Sequence, residues 1–180
     1  MEFGRSITKR AHASRSKLVV AFFVTLALPL TTMVSSLPAA YAGSERINGT
    51  GTFSDITVTI LSVQMVGANE VITDAGTGKV TGTLRGTYSF TATITVQPTG
   101  VASYSAIDVC RCTVDGNTGG LQFIETGTGN QITGVFQSQA KIARASSDLT
   151  GATGTAILKG MQNPVTGLTS GTYSISITLP

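Results

Sequence analysis

Between Gly43 and Pro180 the side chains able to do chemistry are few, and their types limit what is open to the chain. The only histidine is His12, so this stretch can build neither a Ser-His-Asp nor a Cys-His relay, and it lacks the commonest metal-binding imidazole. Catalysis would have to use carboxylate, tyrosine, cysteine, lysine or arginine. Glu125, Tyr104, Asp108 and Arg111 are the polar residues expected near an apolar interior. An acid held among apolar side chains has its pKa raised and can donate a proton or stabilise a developing cation. Glu125 and Tyr104 are therefore the candidate catalytic pair. Glu125 is nevertheless placed at a strand end beside Gly127, where a solvent-exposed rim is the commoner outcome.

Cys110-Arg111-Cys112 holds the only two cysteines of the chain. Residues i and i+2 of a regular strand lie close to ~7 Å apart between α-carbons, at the limit of disulfide geometry, so a bridge requires a local turn or twist. The alternatives are a structural bridge, two packed thiols, or a strained redox-active pair. Two thiolates without further ligands make a poor zinc site, and neither metal nor cofactor is expected. Gly76-Thr77-Gly78-Lys79 is not a phosphate loop, because no helix follows it. Asn48-Gly49-Thr50 has the form of a glycosylation sequon, relevant only in a eukaryotic secretory host. The Asp148 carboxylate is expected to accept backbone N–H bonds in a turn.

The elements that must position these residues read as β throughout residues 43–180. In Thr83 to Gln97, Leu84, Gly86, Tyr88, Phe90, Ala92, Ile94 and Val96 alternate with Arg85 and a run of threonines and serines. Strict alternation over that length predicts a long strand with one wet face. The pattern returns through Ile132–Ile142 and Tyr173–Leu179. Turn signals at 67–69, 74–78, 98–100, 115–117, 127–130 and 163–167 divide the rest. The result is eight strands, near 51–65, 69–74, 79–97, 100–114, 120–128, 131–144, 153–160 and 170–179. The apolar face of the first switches from Ile56, Val58 and Ile60 to Leu61, Val63 and Met65, which predicts a bulge at Ile60-Leu61. Sequential strands with short connections predict an all-β, eight-stranded antiparallel closed barrel, since closure removes exposed edges. A sandwich is the alternative.

Ahead of this domain, Arg5, Lys9, Arg10, Arg15 and Lys17 precede the apolar run Leu18–Leu30, and Ala40-Tyr41-Ala42 supplies a small-x-small site. The run is short of the ~20 residues a membrane span needs. The pattern predicts a signal peptide over 1–42, cleavage after Ala42, and a secreted single barrel domain over 43–180 with no membrane attachment. An uncleaved anchor is the alternative. Residues 43–180 carry seven basic and eight acidic side chains, a net charge of −1. The basic character of the whole chain thus belongs to the export segment, and the electrostatic footprint of nucleic-acid binding is missing.

Three stretches carry a resemblance: Gly82-Thr83-Leu84-Arg85-Gly86-Thr87-Tyr88; Glu125-Thr126-Gly127-Thr128-Gly129 followed by Gly134-Val135-Phe136; and Ser147-Asp148-Leu149-Thr150-Gly151-Ala152-Thr153-Gly154. Over about residues 49–179 the chain resembles the allene oxide cyclase-like barrel superfamily, most nearly its small bacterial domains of unknown function, with dirigent proteins more distant. The resemblance implies an eight-stranded barrel, frequent homo-oligomers, and in some members cyclisation of a hydrophobic substrate inside the barrel. Its motifs are glycine turns, so no active-site positions are carried over from the plant cyclases.

An eight-stranded barrel is just wide enough to be filled by side chains or to hold one small ligand. Tyr88, Phe90, Ile94, Phe136, Ile142, Tyr173 and Ile175 are expected to face inward, with Tyr88, Phe90, Phe136 and Tyr173 as candidate ligand contacts. The preferred reading is non-catalytic binding of a small apolar ligand or a surface partner. The rival is a cyclase or isomerase using Glu125 and Tyr104.

Overall fold

The computed structural model describes residues 43–180. The signal peptide and cleavage site expected over 1–42 lie outside the described residues. Eight strands follow one another: β1 (Glu45–Val66), β2 (Asn69–Gly82), β3 (Leu84–Val96), β4 (Val101–Val114), β5 (Asn117–Asn130), β6 (Val135–Ser147), β7 (Thr153–Gln162) and β8 (Thr169–Leu179). Each pairs antiparallel with its sequence neighbour, and β1 closes on β8 through Glu45↔Leu179 to Ser54↔Ser170. The expected all-β closed barrel is what forms.

The inward positions are those the alternation marks. On β3, Leu84, Tyr88, Phe90 and Ala92 turn in, while Arg85, Thr87, Ser89 and Thr91 are exposed. At one end the interior is packed solid: Val114, Leu121, Leu149, Ile177 and Cys112 are fully buried. Leu149 reaches this plug from the β6–β7 connection, whose turn is tied by Ala152 N–H donating to Leu149 O at 2.9 Å. Thr118 N–H donates to the Asp148 carboxylate at 3.4 Å, which holds that connection against β5.

The glycines of 67–69, 98–100, 115–117 and 163–167 fall between strands as expected, but two other glycine-rich stretches, 74–78 and 127–130, do not form turns. β2 continues through Asp74–Gly78 to Gly82, and β5 continues through Gly127 to Asn130, so the next turn falls at 131–134. In both places the glycines sit within the strand, directly opposite aromatic rings. Gly76 pairs with Phe90 and Gly78 with Tyr88. Tyr104 pairs with Gly127, Phe136 with Gly160, Phe53 with Gly171, and Tyr173 with Gly51. All seven aromatic side chains of residues 43–180 face the interior, and six of them lie over a glycine of the adjacent strand. A Cβ at Gly76 would come within 2.7 Å of the Phe90 ring, and one at Gly127 within 2.6 Å of the Tyr104 ring. The missing side chain lets each ring lie against the wall and leaves the middle of the barrel open.

β1 is bulged. Its register with β2 shifts between Ile60 and Ser62, as the sequence predicts, and also between Asp55 and Thr57. The earlier bulge turns Ile56 outward, 52% exposed, and brings Phe53 and Asp55 inward in place of the expected Ile56-Val58-Ile60 face. Val58 alone of those three reaches the interior cavity.

Candidate functional site

The end of the barrel opposite the plug is open, and a cavity of about 190 Å³ enters there. Its walls are largely apolar, from Val58, Phe90, Ile94, Phe136 and Leu158 among others, but four carboxyl groups face it: Asp55, Asp74, Asp108 and Glu125. No lysine or arginine lines it, and all seven basic side chains of residues 43–180 are exposed elsewhere.

Glu125 is not on the rim. It is 7% exposed, because β5 runs five residues further and carries its side chain inward between Ala106 and Ala140 on the flanking strands. Tyr104 O–H donates to Glu125 Oε1 at 2.6 Å. Asp108, two inward positions along β4 from Tyr104, has its carboxyl pushed up to about 8, first by burial, then by the Glu125 charge and a hydrogen bond with Glu125. That carboxyl holds its proton at neutral pH, next to a second acid and a tyrosine hydroxyl. Burial, and then the Glu125 charge, also raise the Tyr104 phenol, so it remains a donor.

Across the cavity Tyr88 O–H donates to Asp55 Oδ1 at 2.6 Å, and burial raises this phenol too. Thr169 donates to Asp55 Oδ2 from its backbone N–H at 2.9 Å and from its hydroxyl at 2.5 Å. Asp74 has no side-chain donor, only its own backbone amide favouring the charged form. It is 6% exposed and its Oδ1 has no hydrogen-bond partner. Burial, then the Asp55 charge, lifts its carboxyl to about 6. Ser138 Oγ on β6 is also buried without a partner.

The other candidates divide. Tyr88, Phe90, Phe136 and Tyr173 all line the cavity. Tyr173 has its hydroxyl committed to the backbone, accepting from Leu84 N–H at 2.8 Å and donating to Thr81 O at 3.0 Å. Arg111 is exposed on the outer face, because the β4 alternation that turns Cys110 and Cys112 in must turn it out. Cys110 and Cys112 are buried side by side with α-carbons 5.4 Å apart, closer than a regular strand allows. β4 pinches there against Gly86, where a Cβ would meet the Arg111 backbone.

Sequence reasoning missed Asp55, Asp74 and Thr169. Asp55 shares inward parity with Phe53, a signal hidden by the bulge at Ile56. Asp74 opens the glycine-rich stretch 74–78, whose composition predicts a turn. Thr169 enters only through the β1–β8 closure.

No known family profile matches the chain, and no curated protein matches it. Among solved structures, it is similar to a crystal structure of a protein of unknown function from the DUF3224 family of Shewanella oneidensis MR-1. The match has a TM-score of 0.60 at 18% identity, covering 76% of this chain and 99% of that one. The likeness is one of fold.

Proposed function

We propose that this is a secreted barrel whose lumen binds one small, largely apolar organic molecule. The observation that carries the reading is the cavity itself, about 190 Å³ and open at one end, walled by Tyr88, Phe90, Tyr104 and Phe136. An engineered apolar cavity of ~150 Å³ takes up benzene, so the space suits a body about one ring in size. Six of the rings lie opposite glycines of the adjacent strand, which makes room for them at the wall and supports an open lumen. In this reading residues 1–42 direct export and are removed after Ala42, and Cys110 and Cys112 form a disulfide in the oxidising space outside. The allene oxide cyclase-like kinship belongs to the same proposal, supported by the eight-stranded closed barrel and the glycine turns.

A second reading uses the same lumen. In it Asp108, protonated at neutral pH beside Glu125 and Tyr104, would act as a general acid for isomerising or cyclising a bound apolar substrate. Native mass spectrometry of the protein secreted by its own host tests the first reading. A peak heavier than the chain by a few hundred daltons or less supports it, and bare chains after mild purification contradict it. The denatured mass checks the cut after Ala42 and the loss of two hydrogens at the cysteines. An Asp108→Asn variant that binds the recovered molecule yet no longer converts it would favour the enzyme.

A further inference from the structure

The wall of the lumen also specifies the charge of what it holds. Asp55 is fully engaged by Tyr88 and Thr169, and Glu125 is engaged by Tyr104. Asp74 differs: it lines the cavity, is more than nine-tenths buried, and leaves Oδ1 without a donor. A buried acceptor without a partner is costly, and a carboxylate more so. No lysine or arginine lines the lumen, so no cationic side chain of the protein balances this carboxylate. Tyr88 and Phe90 stand together with ring centroids 6.3 Å apart, and Tyr104 meets Phe136 edge-on at 6.2 Å. Aromatic faces attract cations, most strongly when desolvated. Among the described residues, no three acidic or cysteine side chains converge closely enough to hold a metal ion.

We infer that the lumen ligand is a small organic cation, an amine or quaternary ammonium on a body about one ring in size, with its nitrogen directed at Asp74 and its apolar part among Tyr88, Phe90 and Phe136. The inference rests on the lumen being a binding site and adds the chemical class of its occupant.

Isothermal titration of the purified protein near neutral pH with 2-phenylethylammonium, 2-phenylethanol and 3-phenylpropionate varies charge at nearly constant shape, and calcium chloride alone completes the set. The expected result is that the ammonium binds roughly tenfold or more tighter than the alcohol, with the carboxylate weakest. Asp74→Asn is expected to bring the ammonium down to the level of the alcohol while leaving the alcohol unchanged. Equal binding of alcohol and ammonium overturns the charge inference and leaves the lumen reading standing. Tightest binding by the carboxylate does the same. Calcium binding abolished by Asp74→Asn overturns it in favour of a metal ion. Binding by none of the three ring compounds overturns the lumen reading itself. The charge series on the unaltered protein decides the matter even if the variant fails to fold.

Discussion

Raising the pH from about 5 to about 8 should cost this barrel stability, and Asp108 is the main reason. Folding lifts its carboxyl from 3.8 to about 8, so through that interval the folded chain holds a proton that the unfolded chain has released. Folding takes up protons there, and stability must fall as pH rises, levelling off only above the folded value. At ~1.36 kcal/mol per pH unit, three units amount to roughly 4 kcal/mol. Water at the open mouth and relaxation of the Asp108–Glu125 pair reduce this to about 2 kcal/mol. Asp74, lifted from 3.8 to about 6, acts in the same direction over the lower part of the range. Residues 43–180 contain no histidine to confuse the titration. The assay is thermal unfolding followed by circular dichroism across that range at constant ionic strength. The expected fall in Tm is roughly 6–10 °C for a domain of this size. Asp108→Asn keeps a donor toward Glu125 without a titrating proton, so it should flatten most of the slope and exceed the wild type in Tm near pH 8. A wild-type Tm that is level or rising between pH 5 and 8 would refute the reasoning, and an undiminished slope in Asp108→Asn would refute the assignment to Asp108.

The remaining predictions concern how the lumen is built. Gly127→Ala places a Cβ within 2.6 Å of the Tyr104 ring and is expected to cost about 1–3 kcal/mol by overpacking, read by urea denaturation, with ligand affinity reduced because the ring is driven into the cavity. Tyr104→Phe removes the 2.6 Å donor to Glu125 and is expected to cost about 1–3 kcal/mol near neutral pH, read by urea denaturation. Leu121→Ala, in the fully buried plug, is expected to cost about 2–5 kcal/mol while leaving lumen binding unchanged in the same titration calorimetry. A loss of binding there would mean that plug and lumen are not independent.

Much of the fold was legible because a closed barrel with a wet outer face imposes strict alternation, and Thr83–Gln97 and Tyr173–Leu179 display it without interruption. The Ile60–Ser62 register shift coincides with the change of apolar parity at Ile60-Leu61, although Ile60, Leu61, Val63 and Met65 are all exposed. The errors in β2 and β5 have one physical source, whereas Arg111 is turned out by the β4 alternation and Asp55 is hidden by the bulge at Ile56. Glycine serves both as a turn former and as the residue that makes room for a facing ring, and only the cross-strand register separates the two roles. Gly76, Gly78 and Gly127 were read in the first role and act in the second. Those readings shortened β2 and β5, left Asp74 in a turn and placed Glu125 on the rim. The pairing of Tyr104 with Glu125 lies within one hairpin and could be suspected from sequence. The contact of Asp55 with Thr169 joins residues 114 positions apart and becomes visible only when β1 closes on β8.

In the proposed function, binding takes place inside the barrel, at its acidic open end. Titrating the isotopically labelled protein with 2-phenylethylammonium and following backbone amides by two-dimensional NMR tests it most directly. The expected result is saturable shifts at Asp74, Tyr88, Tyr104 and Glu125, with Leu121, Val114 and Ile177 in the plug unmoved. Shifts confined to the exposed apolar positions of the outer face, such as Ile107, Ile124 and Ile157, or no saturable shifts at all, would contradict it.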